Sequence, residues 1–149
     1  MKIRSLAVLM AAILFCAIVS SYADQQAETA GNGSATIDGR PVKDIQDVVK
    51  KYLDQHTGPI GAFEIYDSVT KQLRRVKLIN LQDGISKAGN NYYCRAYFKD
   101  IDNNEFVDLD VNVRYMGGMP NVTDVQIYKV KDKERYTYDN NGNRVPVKP

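Results

Sequence analysis

The stretch "YYCRAYF" (92 to 98) sets Tyr93, Arg95 and Tyr97 at alternate positions, and "VDLDVNV" (107 to 113) does the same with Asp108, Asp110 and Asn112. In strands, alternate side chains share one face. If the two segments pair through the "IDNN" turn (101 to 104), Arg95 and Tyr97 come to lie near Asp108 and Asp110. A guanidinium and phenols beside two carboxylates can hold a polar or charged ligand, and a carboxylate in a cavity can serve as a general acid or base. The expected ligand-binding set is therefore Tyr93, Arg95, Tyr97, Asp108 and Asp110, on the solvent side of a sheet. The competing reading is plain cross-strand pairing on a wet face, worth about 0.2 to 1 kcal/mol per pair.

Other reactive side chains point to structure first. Cys94 alternates with Tyr92, Ala96 and Phe98, the apolar set, so it is expected in the core as a small hydrophobe with a raised pKa. An intermolecular disulfide and a redox thiol are the functional alternatives. His56, the one histidine, falls at the end of a predicted helix, where the dipole favours a cation; a general-base role would need a partner that the sequence does not identify. Asp100, Asp102 and Asn104 begin like a calcium loop, but Glu105 stands where that loop needs glycine and Val111 where it needs a bidentate glutamate. A hairpin turn is expected there. No phosphate-binding loop, dinucleotide fingerprint or nucleophile elbow is present, and no catalytic set, metal centre or cofactor follows.

The amino terminus addresses the compartment. Lys2 and Arg4 precede an apolar run from Leu6 to Val19, and Ser21 and Ala23 supply small residues at an exit, the layout of a cleaved secretory leader at residues 1 to 23. The run is shorter than the roughly 20 residues that a spanning helix needs. Phe15 before Cys16 speaks against a lipoprotein signal, which asks for a small residue there. Cleavage after Ala23 predicts a periplasmic or secreted product with no stable membrane span. It removes Lys2 and Arg4 from the 20 basic residues of the chain, evening them against its 18 acids, so a nucleic-acid partner is not expected. It also removes Cys16, leaving Cys94 without an intramolecular disulfide partner.

The positioning elements follow from periodicity. Residues 24 to 39, rich in Gly, Ala, Ser and Gln, read as a flexible leader. From Pro41 to Gln55, Val42, Ile45, Val48, Val49, Tyr52 and Leu53 recur at three- and four-residue intervals, which predicts one amphipathic helix. Beyond Pro59 the period falls to two, giving strands over 61 to 67, 72 to 80, 91 to 100, 105 to 115 and 122 to 130, with an extension at 134 to 139. "SVTK", "DGISKAGN", "IDNN", "MGGMPN" and "KDK" read as the turns between them. "YTYDNNGNRV" reads as a hairpin signature, and residues 140 to 149 as a C-terminal tail. The outcome is an α+β fold over residues 40 to 139: an N-terminal helix packed on a curved antiparallel sheet of four to six strands.

That element order resembles the cystatin-like and nuclear-transport-factor-like (NTF2-like) domains and, more loosely, the PepSY domains of bacterial envelope proteins. The resemblance implies a small helix-on-sheet fold whose curved sheet can form a pocket. Two functions remain: a non-catalytic envelope domain binding a protein, peptide or small ligand, and a small NTF2-like enzyme with Asp108 or Asp110 in a sheet cavity.

Overall fold

A computed structural model describes residues 35–139 and 141–147. The expected secretory leader, and the flexible segment as far as residue 34, lie outside the described residues. The fold is α+β, with one helix packed on an open antiparallel sheet of six strands.

The chain enters through a short hairpin, β1 (Thr36–Ile37) and β2 (Arg40–Pro41). Ile37 is buried in the main core, and Asp38 accepts from Lys87 and Tyr92 at 2.9 and 3.1 Å, so residues 36 to 39 of the segment expected to be leader pack on the domain. Helix α1 (Val42–Gln55) buries Val42, Ile45, Val49 and Leu53 along one stripe. Its far end is closed by His56, whose Nδ1 lies 2.8 Å from the Tyr52 carbonyl oxygen and whose ring stacks on Tyr52 at 4.0 Å. That is the capping role expected from its position.

The main sheet runs in chain order: β3 (Phe63–Asp67), β4 (Gln72–Ala88), β5 (Asn91–Asp100), β6 (Phe106–Met116), β7 (Met119–Val130) and β8 (Lys133–Glu134), each antiparallel to its neighbour. Gly117 and Gly118, both with positive φ, close the tight turn between β6 and β7. Strand β4 is longer than its sequence suggests. Asp83 and Gly84 mimic a turn, yet the strand continues through irregularities at Leu78/Asn80 and Leu81/Ile85. Gln46 of α1 donates to the carbonyls of Gln82 and Asp83 at 3.1 Å, satisfying backbone that the broken ladder leaves free.

One sheet face and α1 form the core. Tyr92, Cys94, Ala96 and Phe98 of β5 meet Val107, Leu109, Val111 and Val113 of β6, with Ile85, Ile127 and the helix stripe packed over them. Cys94 is fully buried, and burial first, then the negative charge of Asp110, pushes its thiol up to about 12. The native protein should therefore resist a thiol reagent such as DTNB and react promptly once unfolded in guanidinium. Fast labelling of the native state would show that the strand opens.

The sheet bends until β3 approaches β7 across the molecule. A buried ion cluster sits where these edges converge. Arg74 donates through Nε to Asp67 at 2.9 Å and through Nη1 to Asp100 at 2.9 Å and Glu105 at 3.0 Å. Arg135, just beyond β8, reaches Asp67 at 3.2 Å, and Lys131 pairs with Glu105 at 2.9 Å. Three cations thus meet three carboxylates, and the two sheet edges are clasped together. Asp100 also caps its own turn, its Oδ1 accepting from the Asp102 N–H at 2.9 Å, so "DIDNNEF" is a hairpin loop.

After β8 the chain crosses the sheet edge and forms a second small hairpin, β9 (Tyr136–Tyr138) and β10 (Arg144–Pro146). Part of the expected tail is the second strand of this hairpin. Among the described residues, no helix is long and apolar enough to cross a membrane.

Candidate functional site: the outer face of the sheet

Strand register lays the outer face out in rows. Tyr93 stands opposite Asn112, Arg95 opposite Asp110, and Tyr97 opposite Asp108, as the hairpin pairing of β5 and β6 requires. All five expected site residues are therefore neighbours. For three of them the expected exposure is overturned, since Tyr93, Asp108 and Asp110 retain only 6%, 5% and 1% of their accessible surface, while Arg95 and Tyr97 are half-buried. The β9–β10 hairpin lies over Tyr93 and Asp110.

Asp110 is the hub. Arg95 grips it with two hydrogen bonds, Nε at 2.8 Å to one oxygen and Nη2 at 3.2 Å to the other. From the hairpin, the hydroxyls of Tyr136 and Tyr138 both donate to Asp110 Oδ2, at 3.2 and 3.0 Å. Burial works against the charge of Arg95, but the bonds to Asp110 outweigh it and hold the guanidinium more firmly protonated than usual. Burial, and then the charge on Asp110, pushes both tyrosine hydroxyls well above the ordinary phenol range.

Aromatic packing completes the seal. The Arg95 guanidinium rests 3.5 Å from the ring centre of Tyr128. The Tyr93 ring lies 4.5 Å from that of Tyr138, and its hydroxyl donates to the Gly142 carbonyl at 3.3 Å. Arg144 of β10 pairs with Asp124 of β7 at 2.6 Å, holding the free strand of the hairpin. Gly142, with φ of +78°, is needed at the tip, since a Cβ there would come within 2.7 Å of the Ala88 Cβ. Asp108 belongs to the rim, with Lys129 Nζ 3.0 Å from its Oδ2, too oblique for a hydrogen bond, so the contact is electrostatic.

This arrangement locks a hairpin. Four donors engage Asp110, one on Oδ1 and three on Oδ2, so its charge is committed to Arg95 and the hairpin. Tyr128, Tyr136, Tyr138 and Arg144 are the partners that sequence reasoning missed. A signal existed: Tyr136 and Tyr138 alternate, so one side of the "YTY" strand carries two rings that need cover.

The hairpin covers only part of the outer face. Tyr66 opposite Leu73, Lys77 opposite Lys99, and Lys99 opposite Phe106 continue the rows beyond it. Tyr66, Leu73 and Phe106 stay 57%, 57% and 60% exposed. Ile79 is exposed beside them at the β4 bulge. Among the described residues, no group of three or more His, Cys, Asp or Glu is arranged to hold a metal ion.

Compared with known protein families, curated proteins and solved structures, the chain matches none.

Proposed function

We propose that the protein is an exported, non-catalytic domain that binds a protein, peptide or small ligand in the cell envelope through the open part of its outer sheet face. The carrying observation is a set of large apolar side chains left uncovered on this face, Tyr66 and Leu73 paired across β3 and β4 and Phe106 on β6, each more than half exposed beside a region that the chain covers for itself. Large apolar side chains gathered on a wet sheet face mark interaction surfaces. The helix-on-sheet order is compatible with the cystatin-like, NTF2-like and PepSY-like resemblance. The enzyme alternative has less support. Asp110 is committed to four donors under the hairpin, and the helix-side face, where a cavity would open, is filled with Cys94, Ala96, Phe98, Leu109 and Val111.

Export and binding are tested together by expressing the full chain with a C-terminal tag in a host that processes secretory leaders. The product from the envelope or medium should begin at Asp24 by intact mass. Cross-linking followed by capture should recover a partner that is lost from the Leu73→Ser/Phe106→Ser double variant and kept by Met119→Ser, an exposed residue on the distant β6–β7 turn. Capture indifferent to the double variant, or an uncleaved product in the cytoplasm, would overturn the reading.

A further inference from the structure

Several cations on the outer face are matched to carboxylates. Arg95 has Asp110, Lys129 has Asp108, Arg75 has Asp102, and Arg144 has Asp124. Among the described residues, Arg114, at the far end of β6, has only the Asn91 side chain, and Lys77 and Lys99 have neither an ion pair nor a side-chain hydrogen bond. The two lysines are directly opposite in the β4–β5 ladder, and both are exposed. Like charges directly opposite on adjacent strands weaken a sheet. Of the nearby carboxylates of this face, Glu64 stands opposite Arg75, and Asp108, two residues along β6 from Phe106, is paired with Lys129. Phe106 flanks the pair, with Lys99 Nζ 5.9 Å from its ring centre, and Leu73 and Tyr66 continue the surface across β4 and β3.

Resting on the outer face as the binding surface, we propose that the Lys77–Lys99 row recognises an acidic peptide segment that also carries apolar side chains. Carboxylates would relieve the opposed ammonium groups, while leucine- or phenylalanine-like side chains would cover Leu73, Tyr66 and Phe106. An anionic bilayer fits less well. Lipid-binding patches gather about four to eight basic side chains. Here the patch holds two, Lys77 and Lys99, with Glu64 and the acidic β5–β6 turn at their rim. A free phosphate would satisfy the lysines and leave the apolar side chains bare.

The test pairs stability with binding. Lys99→Glu sets a carboxylate opposite Lys77 and should raise Tm by about 2 to 5 °C. A short fluorescein-labelled peptide alternating glutamate with leucine and phenylalanine should bind the wild-type protein. Its affinity should fall by roughly tenfold or more in Lys77→Glu/Lys99→Glu and weaken with salt. The same peptide with lysine for glutamate, phosphatidylglycerol vesicles and inorganic phosphate are the other arms. An unchanged or lowered Tm in Lys99→Glu would overturn the opposed-charge argument while leaving the broader binding reading standing. Binding to vesicles or phosphate in preference to the acidic peptide, or to no probe, would overturn the choice of partner.

Discussion

Replacing Arg74 by methionine should destabilise the fold by about 3 to 5 kcal/mol, the range found when one partner of a buried ion pair is removed. Arg74 serves Asp67, Asp100 and Glu105 at once, and the first two carboxylates are almost fully buried. Without it Asp67 keeps Arg135, and Glu105 keeps Lys131, but Asp100 is left with a backbone N–H alone. Lysine would be a poor substitute, because the guanidinium uses Nε and Nη1 in two fixed directions that a single ammonium cannot reproduce.

The pH dependence separates this clasp from ordinary packing. Burial alone would raise the pKa of Asp67, but the Arg74 hydrogen bond and the N–H groups of Val69 and Thr70 outweigh it and hold the carboxyl below its usual value. A depressed folded pKa contributes stability above the unfolded value, near 3.9, that is lost as pH falls through the folded one. In Arg74→Met burial is no longer opposed by that bond, so the penalty of an ionised buried carboxylate should grow as pH rises from about 4. Urea midpoints measured from acid to neutral pH should therefore rise for the wild type and flatten or fall for the variant. Parallel curves, or a loss under about 1 kcal/mol at neutral pH, would mean that water already reaches the cluster.

Much of this molecule was legible in periodicity. The helix stripe and the inward side of "YYCRAYF" follow from spacings of 3.6 and 2, and both meet in one core. What escaped is what a second layer of chain decides. Alternation says that Tyr93, Arg95, Asp108 and Asp110 share a side, but whether that side is wet depends on residues 136 to 146, far along the sequence. Charged side chains default to water, so Arg95 and Asp110 read as surface until a tyrosine hairpin covers them. Arg74 is a second charge that the fold buries. It sits in the basic run "LRRVK", yet it is in phase with Val76, which places it on the inward side. The turn-like "DG" at 83 and 84 failed for a different reason, since Gln46 of the helix supplies the hydrogen bonds that let the strand run on.

Asp110→Ala should have a comparable effect, about 3 to 5 kcal/mol, with a different signature. It strands the Arg95 charge beneath the hairpin and takes the acceptor from Tyr136 and Tyr138 together, so the hairpin should come away before the core does. Trypsin should then cut at Arg135 and Arg144 under conditions in which the wild type survives. Tyr138→Phe removes one donor and should cost only about 1 kcal/mol. Gly142→Ala should also loosen the hairpin, through its clash with Ala88, while leaving the Arg95–Asp110 pair intact. Alkaline titration supplies the sign check. Both tyrosines have folded pKa values raised above the unfolded value near 10, so they add stability that is fully present below it and declines at higher pH, as the unfolded chain ionises first. Asp110→Asn removes the charge that helps to raise them and should make that decline shallower. If Asp110→Ala unfolds globally with no early cleavage at Arg144, the hairpin is a full member of the cooperative fold and the outer face stays sealed until everything melts.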